Sequence, residues 1–126
     1  METMGEENRK LMFIVTSAEE QPERATIPFV LANAALAMDS EATVVLQTMG
    51  VYLAMKNYAR HVHASGFSPL QDLIEMFLEQ GGKLWVCEPC IKARQISQDE
   101  LIEGATIVAG ASLVDAMLDA KNVAVY

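Results

Sequence analysis

The chain has 126 residues, 52% of them hydrophobic, and a formal net charge of −8. This composition suits one globular domain and excludes an intrinsically disordered chain, while the acidic balance argues against general nucleic-acid binding. The apolar runs are too short to span a bilayer and the polar opening is not a secretory signal, so we expect a cytoplasmic protein without a membrane or nucleic-acid partner. Residues 1–10 are predicted to form a flexible N-terminal tail, and residues 11–126 a single domain.

The domain opens with a short apolar strand and a long apolar helix. The run LMFIV at residues 11–15 predicts the strand, and residues 26–38 predict the helix, with Pro28 tolerated only in its first turn. Because this helix is apolar on nearly every side, we expect a second subunit to cover the side that the sheet leaves open.

A second predicted strand, residues 43–48, leads into a mixed segment over residues 51–67. We interpret this segment as a lid or a subunit interface, because it exposes apolar side chains among polar residues: Val51, Tyr52, Leu53, Met55 and Tyr58. Apolar residues at helical spacing then predict a helix that begins at Pro69 and ends at Gly81.

Three further strands and two helices complete the pattern, over residues 83–86, 97–103, 105–109, 112–120 and 122–126. Ser97 and Glu100 fit a capping box at the start of the first of these helices. The second helix is expected to direct its apolar side chains inward: Leu113, Val114, Met117 and Leu118. Because strands alternate with helices, the sequence predicts a three-layer α/β/α fold with a five-stranded, mainly parallel sheet.

The only two cysteines, Cys87 and Cys90, directly follow the third predicted strand. Pro89 suits the first turn of a helix, so Cys87 is expected at the strand end and Cys90 in the first helical turn. The helix N-terminus and the nearby cations Lys92 and Arg94 would both favour a thiolate. Since ligands bind such sheets outside the carboxyl ends of the strands, the motif predicts a reactive-thiol site there.

A second pair of basic residues, Lys56 and Arg60, follows the second predicted strand. If the loops after the second and third strands converge, these side chains join Lys92 and Arg94 in a basic pocket within an acidic protein. Such a pocket would attract an anionic substrate to the thiols.

Three chemistries compete for the Cys-x-x-Cys pair, beside the alternative that both cysteines are inert. Thioredoxin-type disulfide exchange is disfavoured because no proline follows the motif. A structural zinc site needs four ligands, and only His61 and His63 could complete the set. Sulfur transfer, in which a cysteine thiolate takes a sulfane sulfur as a persulfide, needs an accessible thiolate beside cations, and the sequence predicts both.

The chain resembles the DsrE/DsrF-like family of sulfur-relay proteins from its first strand onward. The resemblance rests on that strand, on TMGV after the second strand, on WVCEPCIKARQI, and on ELIEGATIVAGASLVDAMLDAKNVAVY. It implies a compact α/β/α domain that assembles as a trimer or hexamer and passes sulfur as a cysteine persulfide, often to a small TusA-like carrier. The family's sulfur-carrying cysteine matches Cys87, and Cys90 matches a second cysteine found in some members. Where the family often has Arg-Gly-Ile, this chain has Arg94, Gln95 and Ile96.

We therefore expect a sulfurtransferase or sulfur carrier that uses neither a cofactor nor a metal. The expected site consists of two catalytic cysteines and four substrate-binding cations: Cys87, Cys90, Lys92, Arg94, Lys56 and Arg60. The alternatives are a thiol–disulfide redox or regulatory module that uses the same cysteine pair, and a non-catalytic oligomeric protein.

Overall fold

The computed structural model describes residues 8–126 and consists of one sheet flanked by helices. The strands are β1 (Lys10–Val15), β2 (Glu41–Leu46), β3 (Lys83–Cys87), β4 (Ala105–Val108) and β5 (Asn122–Val125). The helices are α1 (Pro22–Ala37), α2 (Leu70–Glu79), α3 (Glu88–Ala93) and α4 (Gly110–Asp119). Lys10 already belongs to β1, whereas residues 1–7 of the predicted tail lie outside the described residues. Within the described part, no helix is both long and apolar enough to cross a lipid bilayer.

All five strands run parallel, in the order β4-β3-β2-β1-β5. The chain therefore builds outward from β1 to β4 and then crosses back to place β5 beside β1. Cys87, the last residue of β3, is paired with Val108 of β4. The predicted five-stranded α/β fold is confirmed, and its sheet is wholly parallel.

Different helices cover the two faces of the sheet, because successive strand side chains point to opposite faces. On one face α1 and α2 pack together, and the fully buried rings of Phe29 and Phe77 meet edge to face with centroids 5.7 Å apart. Burial of each ring stabilises the fold by roughly 1.5–3 kcal/mol. On the other face α4 packs against a smaller cluster formed by Met12, Ile14 and Val45.

α1 begins at Pro22, so its predicted start at Thr26 is wrong. Pro22 suits the start of a helix because an N–H in the first turn would have no intrahelical partner. Pro28 consequently lies inside the helix, where it removes one backbone hydrogen bond. The helix continues because Ala25 and Phe29 are fully buried in the main core, and this packing offsets the lost bond.

The segment after β2 forms two 3₁₀ helices, Thr48–Ala54 and Ala59–His61. Val51 and Leu53 are fully buried in the main core, so the interpretation of this segment as a lid or interface that exposes them is wrong. The first 3₁₀ helix contacts β2, β3 and α3, which gives these side chains core positions that sequence periodicity does not reveal.

The capping box predicted at Ser97 is confirmed, since its backbone N–H donates to Glu100 Oε1 at 2.8 Å. The helix that it starts is only a 3₁₀ turn, Gln98–Glu100, and ends earlier than predicted. Leu101 instead forms an antiparallel bridge with Met55. The backbone at Leu101 therefore takes part in strand pairing, which is not compatible with a continuing helix.

α4 directs only part of its apolar surface toward the sheet. Leu113 and Ala116 pack against the smaller cluster, as predicted for Leu113. Val114, Met117 and Leu118 are exposed, so their predicted inward positions are wrong. The apolar stripe of this helix is wider than the sheet surface it rests on, which leaves one side uncovered in the protomer.

Candidate functional site

Cys87 and Cys90 lie where β3 turns into α3, at the carboxyl edge of the sheet. Cys87 is the last residue of β3 and the N-cap of α3, with extended backbone angles (φ −66°, ψ 120°). Pro89 occupies the first turn of α3, where its missing N–H costs no intrahelical bond. The predicted strand-end position of Cys87 and first-turn position of Cys90 are confirmed.

The two thiols are in direct contact. The Cys90 thiol donates to Cys87 Sγ, and the two sulfur atoms lie 2.8 Å apart. Both cysteines are free and half-buried. Each sulfur can therefore act directly on whatever group the other one carries.

The thiols also lie at the topological switch point of the sheet. The segment after β3 packs on the α1–α2 face, where Ile91 of α3 belongs to the main core. The segment after β4 forms α4 on the opposite face. Adjacent strands whose connections leave toward opposite faces open a crevice, and ligands of such sheets bind there. The pairing of Cys87 with Val108 places the thiol at this crevice.

Burial raises the pKa of the Cys87 thiol above its ordinary value, and the hydrogen bond with the Cys90 thiol raises it further. The backbone N–H of Cys90 and the Arg94 guanidinium lower this pKa, but burial and the neighbouring Cys90 thiol together outweigh them. That N–H does not reach the geometry of a capping hydrogen bond. The predicted low-pKa thiolate at Cys87 is therefore wrong for the resting dithiol.

A residue that the sequence analysis missed, Thr48, also contacts the pair. Its backbone N–H donates to Cys90 Sγ at 3.3 Å. Its hydroxyl donates to the carbonyl oxygen of Thr16, after β1, at 2.7 Å. The loops after β1, β2 and β3 thus meet at the thiols. The one signal in the sequence was Gly50 of the TMGV stretch, since glycine permits close approach between backbone segments.

Only one of the two cations predicted beside the thiols acts on them. Arg94 Nη1 donates to the carbonyl oxygen of Cys90 at 3.1 Å, and its charge lowers the pKa of Cys87. Lys92 Nζ instead lies 3.7 Å from Glu88 Oε2, and these two side chains are 74% and 43% exposed. Solvent screens that ion pair, so Lys92 contributes little at the sulfurs.

Lys56 and Arg60 have contacts with residues other than the two cysteines. Lys56 lines a cavity of about 310 Å³ beside α2, together with Leu53 and Ile74. Arg60 Nε donates to the carbonyl oxygen of Asn57. Neither side chain is among the charges that shift the pKa of Cys87. Among residues 8–126 no hydrogen bond or ion pair joins Lys56 or Arg60 to the cysteines, so the convergent basic pocket stays a prediction.

The two histidines do not join the cysteine pair. His63 Nε2 shares a hydrogen bond of 2.8 Å with the carbonyl oxygen of Phe67, and His61 is exposed. Across residues 8–126, no three His, Cys, Asp or Glu side chains come together in a way that could hold a metal ion. The zinc alternative therefore has no ligand set in the described structure.

Comparison with known proteins identifies the family of this chain. A sequence model of the DsrE/DsrF-like family matches residues 9–125. The chain belongs to the DsrE/DsrF-like family. The resemblance carried by WVCEPCIKARQI and the carboxyl-terminal stretch is thereby confirmed, and membership indicates a sulfur-relay-like role at the level of the family.

Several proteins are similar to this chain in sequence. Two come from Methanocaldococcus jannaschii. The uncharacterized protein MJ0989 is 31% identical over 117 residues, which cover 93% of this chain and 99% of the relative. The uncharacterized protein MJ0760 is 34% identical over 114 residues, which cover 90% of this chain but only 41% of that longer relative.

Two solved structures share the fold. The ychN protein of E. coli superposes with a TM-score of 0.79 at 20% identity, covering 94% of this chain and 99% of its own. The protein of unknown function MTH1491 from Methanobacterium thermoautotrophicum superposes with a TM-score of 0.67 at 17% identity, covering 91% and 97%. At these identities the likeness shows the α/β fold.

Proposed function

We propose that this protein is a sulfur-relay protein that holds a sulfane sulfur as a persulfide on Cys87 and passes it to a partner protein. The observation that carries the proposal is the contact between two free thiols, 2.8 Å apart, at the switch-point crevice of a DsrE/DsrF-like sheet. Cys87 ends the strand at the crevice, so it is the thiol that meets an incoming donor.

Loading is a displacement at sulfur. The Cys87 thiol loses its proton, and the thiolate attacks the sulfane sulfur of the donor. A Cys87 Sγ–S bond forms, the bond between the donor and that sulfur breaks, and the donor leaves with the electron pair. The Arg94 guanidinium and the backbone N–H of Cys90 favour the anionic form of Cys87 during this step.

Intact mass after incubation with thiosulfate, polysulfide or a persulfidated carrier tests the proposal. The wild-type protein is expected to gain one or more sulfur atoms, and a reductant should remove them. Cys87→Ser should abolish this gain, whereas Cys90→Ser should still load and keep its persulfide for longer. Sulfur loading by Cys87→Ser together with none by Cys90→Ser would reverse the assignment of the two thiols.

A thiol–disulfide redox or regulatory module is the second candidate, and the same contact between Cys87 and Cys90 favours it. In that function the mass would fall by two hydrogens on oxidation, with no sulfur gained. Both functions need the pair reduced at rest, as the reducing conditions of a cytoplasm would keep it.

Self-association is part of this proposal. The uncovered side of α4 presents Val114 and Leu118, and Val125 of β5 is also exposed. Exposed apolar surface of this kind marks association sites when it is contiguous. A closed ring of identical subunits, a trimer or a pair of trimers, would cover it, and a small TusA-like carrier would receive the sulfur at the crevice.

A further inference from the structure

Thr48 has a backbone conformation that threonine rarely adopts. Its φ is +49°, in the left-handed region, where a β-branched side chain is disfavoured. Two hydrogen bonds hold this loop: the Thr48 hydroxyl donates to the carbonyl oxygen of Thr16 at 2.7 Å, and the Gln47 N–H donates to that of Val15 at 3.0 Å. Residues kept in such sparsely populated conformations cluster at functional sites.

This conformation directs the Thr48 N–H at one sulfur of the pair. The amide nitrogen lies 3.3 Å from Cys90 Sγ. A backbone N–H that donates to sulfur stabilises the thiolate relative to the thiol. Cys87 receives no such bond from this loop among the described residues.

Three charged residues lie within four positions of Cys90 in the chain, and each of them has a contact other than the Cys90 sulfur. Arg94 donates to the Cys90 carbonyl oxygen. Glu88 and Lys92, on the same helix, pair with each other. The 3₁₀ helix that brings Thr48 to the site, TMGVYLA, carries no charged residue.

We infer that Thr48 is a positioning residue: its anchored N–H stabilises the Cys90 thiolate when Cys90 attacks a persulfide held on Cys87. Its role in sulfur relay rests on the proposed function. On a persulfide that no acceptor protein has discharged, the Cys90 thiolate attacks Cys87 Sγ, a Cys87–Cys90 disulfide forms, and the outer sulfur leaves with the electron pair and takes up a proton as hydrosulfide. A thiol reductant then returns both cysteines to the thiol form.

The test uses the Cys87→Ser chain, in which Cys90 is the only thiol and no persulfide can form on residue 87. The rate of Cys90 alkylation by iodoacetamide is measured across the neutral and alkaline range. Adding Thr48→Val removes the anchoring hydroxyl and should slow alkylation near neutral pH about tenfold, the loss expected for one hydrogen bond to a charged sulfur. Adding Thr48→Ser keeps the hydroxyl and should preserve the rate.

The matched control is Thr16→Val in the same background. It makes the same substitution one loop away and removes a hydroxyl bonded to the carbonyl oxygen of Tyr126, while the Thr16 carbonyl that anchors Thr48 remains. Its alkylation profile should not change. Thr48→Gly is a second variant that also lacks the hydroxyl, and glycine adopts a positive φ without strain. It should slow the alkylation of Cys90 as Thr48→Val does.

An unchanged profile for both Thr48→Val and Thr48→Gly, or an equal slowing by Thr16→Val, would overturn the inference. Because this background cannot carry sulfur on Cys87, the result is independent of sulfur loading. If the wild-type protein never loads sulfur but the Thr48 variants slow the alkylation of Cys90, only the proposed function is refuted. If the protein loads sulfur but the Thr48 variants leave the alkylation of Cys90 unchanged, only the role of Thr48 is refuted.

Discussion

Gly50 lies directly against the carbonyl group of Val15: a Cβ at Gly50 would stand 2.2 Å from that oxygen and 3.0 Å from its carbon. The loop after β2 therefore packs on the end of β1 with no room for a side chain. The Gln47 N–H donates to the same Val15 oxygen at 3.0 Å. This contact fixes the distance between the loop after β2 and the end of β1, and so helps to place Thr48 beside Cys90.

Gly50→Ala should destabilise the protein by about 1–3 kcal/mol, because the added methyl group meets backbone atoms that cannot move aside as a side chain can. Urea unfolding measures the change. The control is Gly110→Ala at the start of α4, where a Cβ meets nothing within 4 Å and the free energy of unfolding should be unchanged or slightly higher. Equal stability of both variants would contradict the close packing at Gly50.

Gln95→Gly should stabilise the protein by roughly 1 kcal/mol. α3 ends in a Schellman motif, in which the Ile96 N–H donates to the carbonyl of Ile91 and the Gln95 N–H to that of Lys92. The motif places Gln95 at φ +57°, a conformation that glycine adopts without strain. The control is Gln98→Gly, because Gln98 does not have a positive φ and glycine there should not stabilise the protein. Thermal unfolding compares the two variants, and only Gln95→Gly should melt at a higher temperature than the wild-type protein.

Cys90→Ala should lower the pKa of Cys87, because it removes the side-chain hydrogen bond and the neighbouring thiol that both raise it. A lower pKa means more thiolate near neutral pH, so iodoacetamide should alkylate Cys87 faster in the variant than in the dithiol protein. The midpoint of the rate–pH profile should therefore move toward lower pH. A midpoint that rises instead would show that Cys90 favours the Cys87 thiolate.

Arg94→Gln and Lys92→Gln separate the two cations that the sequence places beside the thiols. Arg94→Gln removes a charge that lowers the pKa of Cys87, so alkylation of Cys87 near neutral pH should slow. Lys92→Gln only breaks the exposed pair with Glu88 and should leave the rate unchanged. Quenching the alkylation at intervals and analysing the peptides by mass assigns the rate to Cys87. Equal slowing by both variants would instead support the sequence-based prediction that Lys92 and Arg94 both favour the thiolate.

Self-association should depend on α4. Leu118 and Val114 are 80% and 55% exposed, so Val114→Asp with Leu118→Asp should leave the fold intact and move the solution mass toward the 13.8 kDa of one chain. The control is Met38→Asp, which changes another large apolar side chain, 67% exposed at the end of α1, and should leave the mass unchanged. A wild-type chain that sediments as a monomer at micromolar concentration would refute the proposed ring. Leu53→Asp is not a suitable test of self-association, because Leu53 is fully buried and the variant would place a charge in the core of the protomer.

The alternation of strands and helices was readable from the sequence because it depends on local patterns. Short apolar runs bounded by turns predicted all five strands, and the fold class follows from their order. The position of Cys87 was equally local, since the apolar run of β3 ends on it and Pro89, two residues later, suits the first turn of a helix. The capping box at Ser97 was visible for the same reason.

Tertiary structure alone decided which residues accompany the thiols and which apolar side chains are buried. The contact of Thr48 with Cys90 joins residues 42 positions apart, and no periodicity encodes it. Arg94 and Lys92 look alike in sequence, yet the turn of α3 directs one to the Cys90 carbonyl and the other to Glu88. Burial of Leu53 and exposure of Leu118 likewise depend on which surface the folded chain brings opposite each side chain, because the hydrophobic effect acts on area removed from water and not on sequence position.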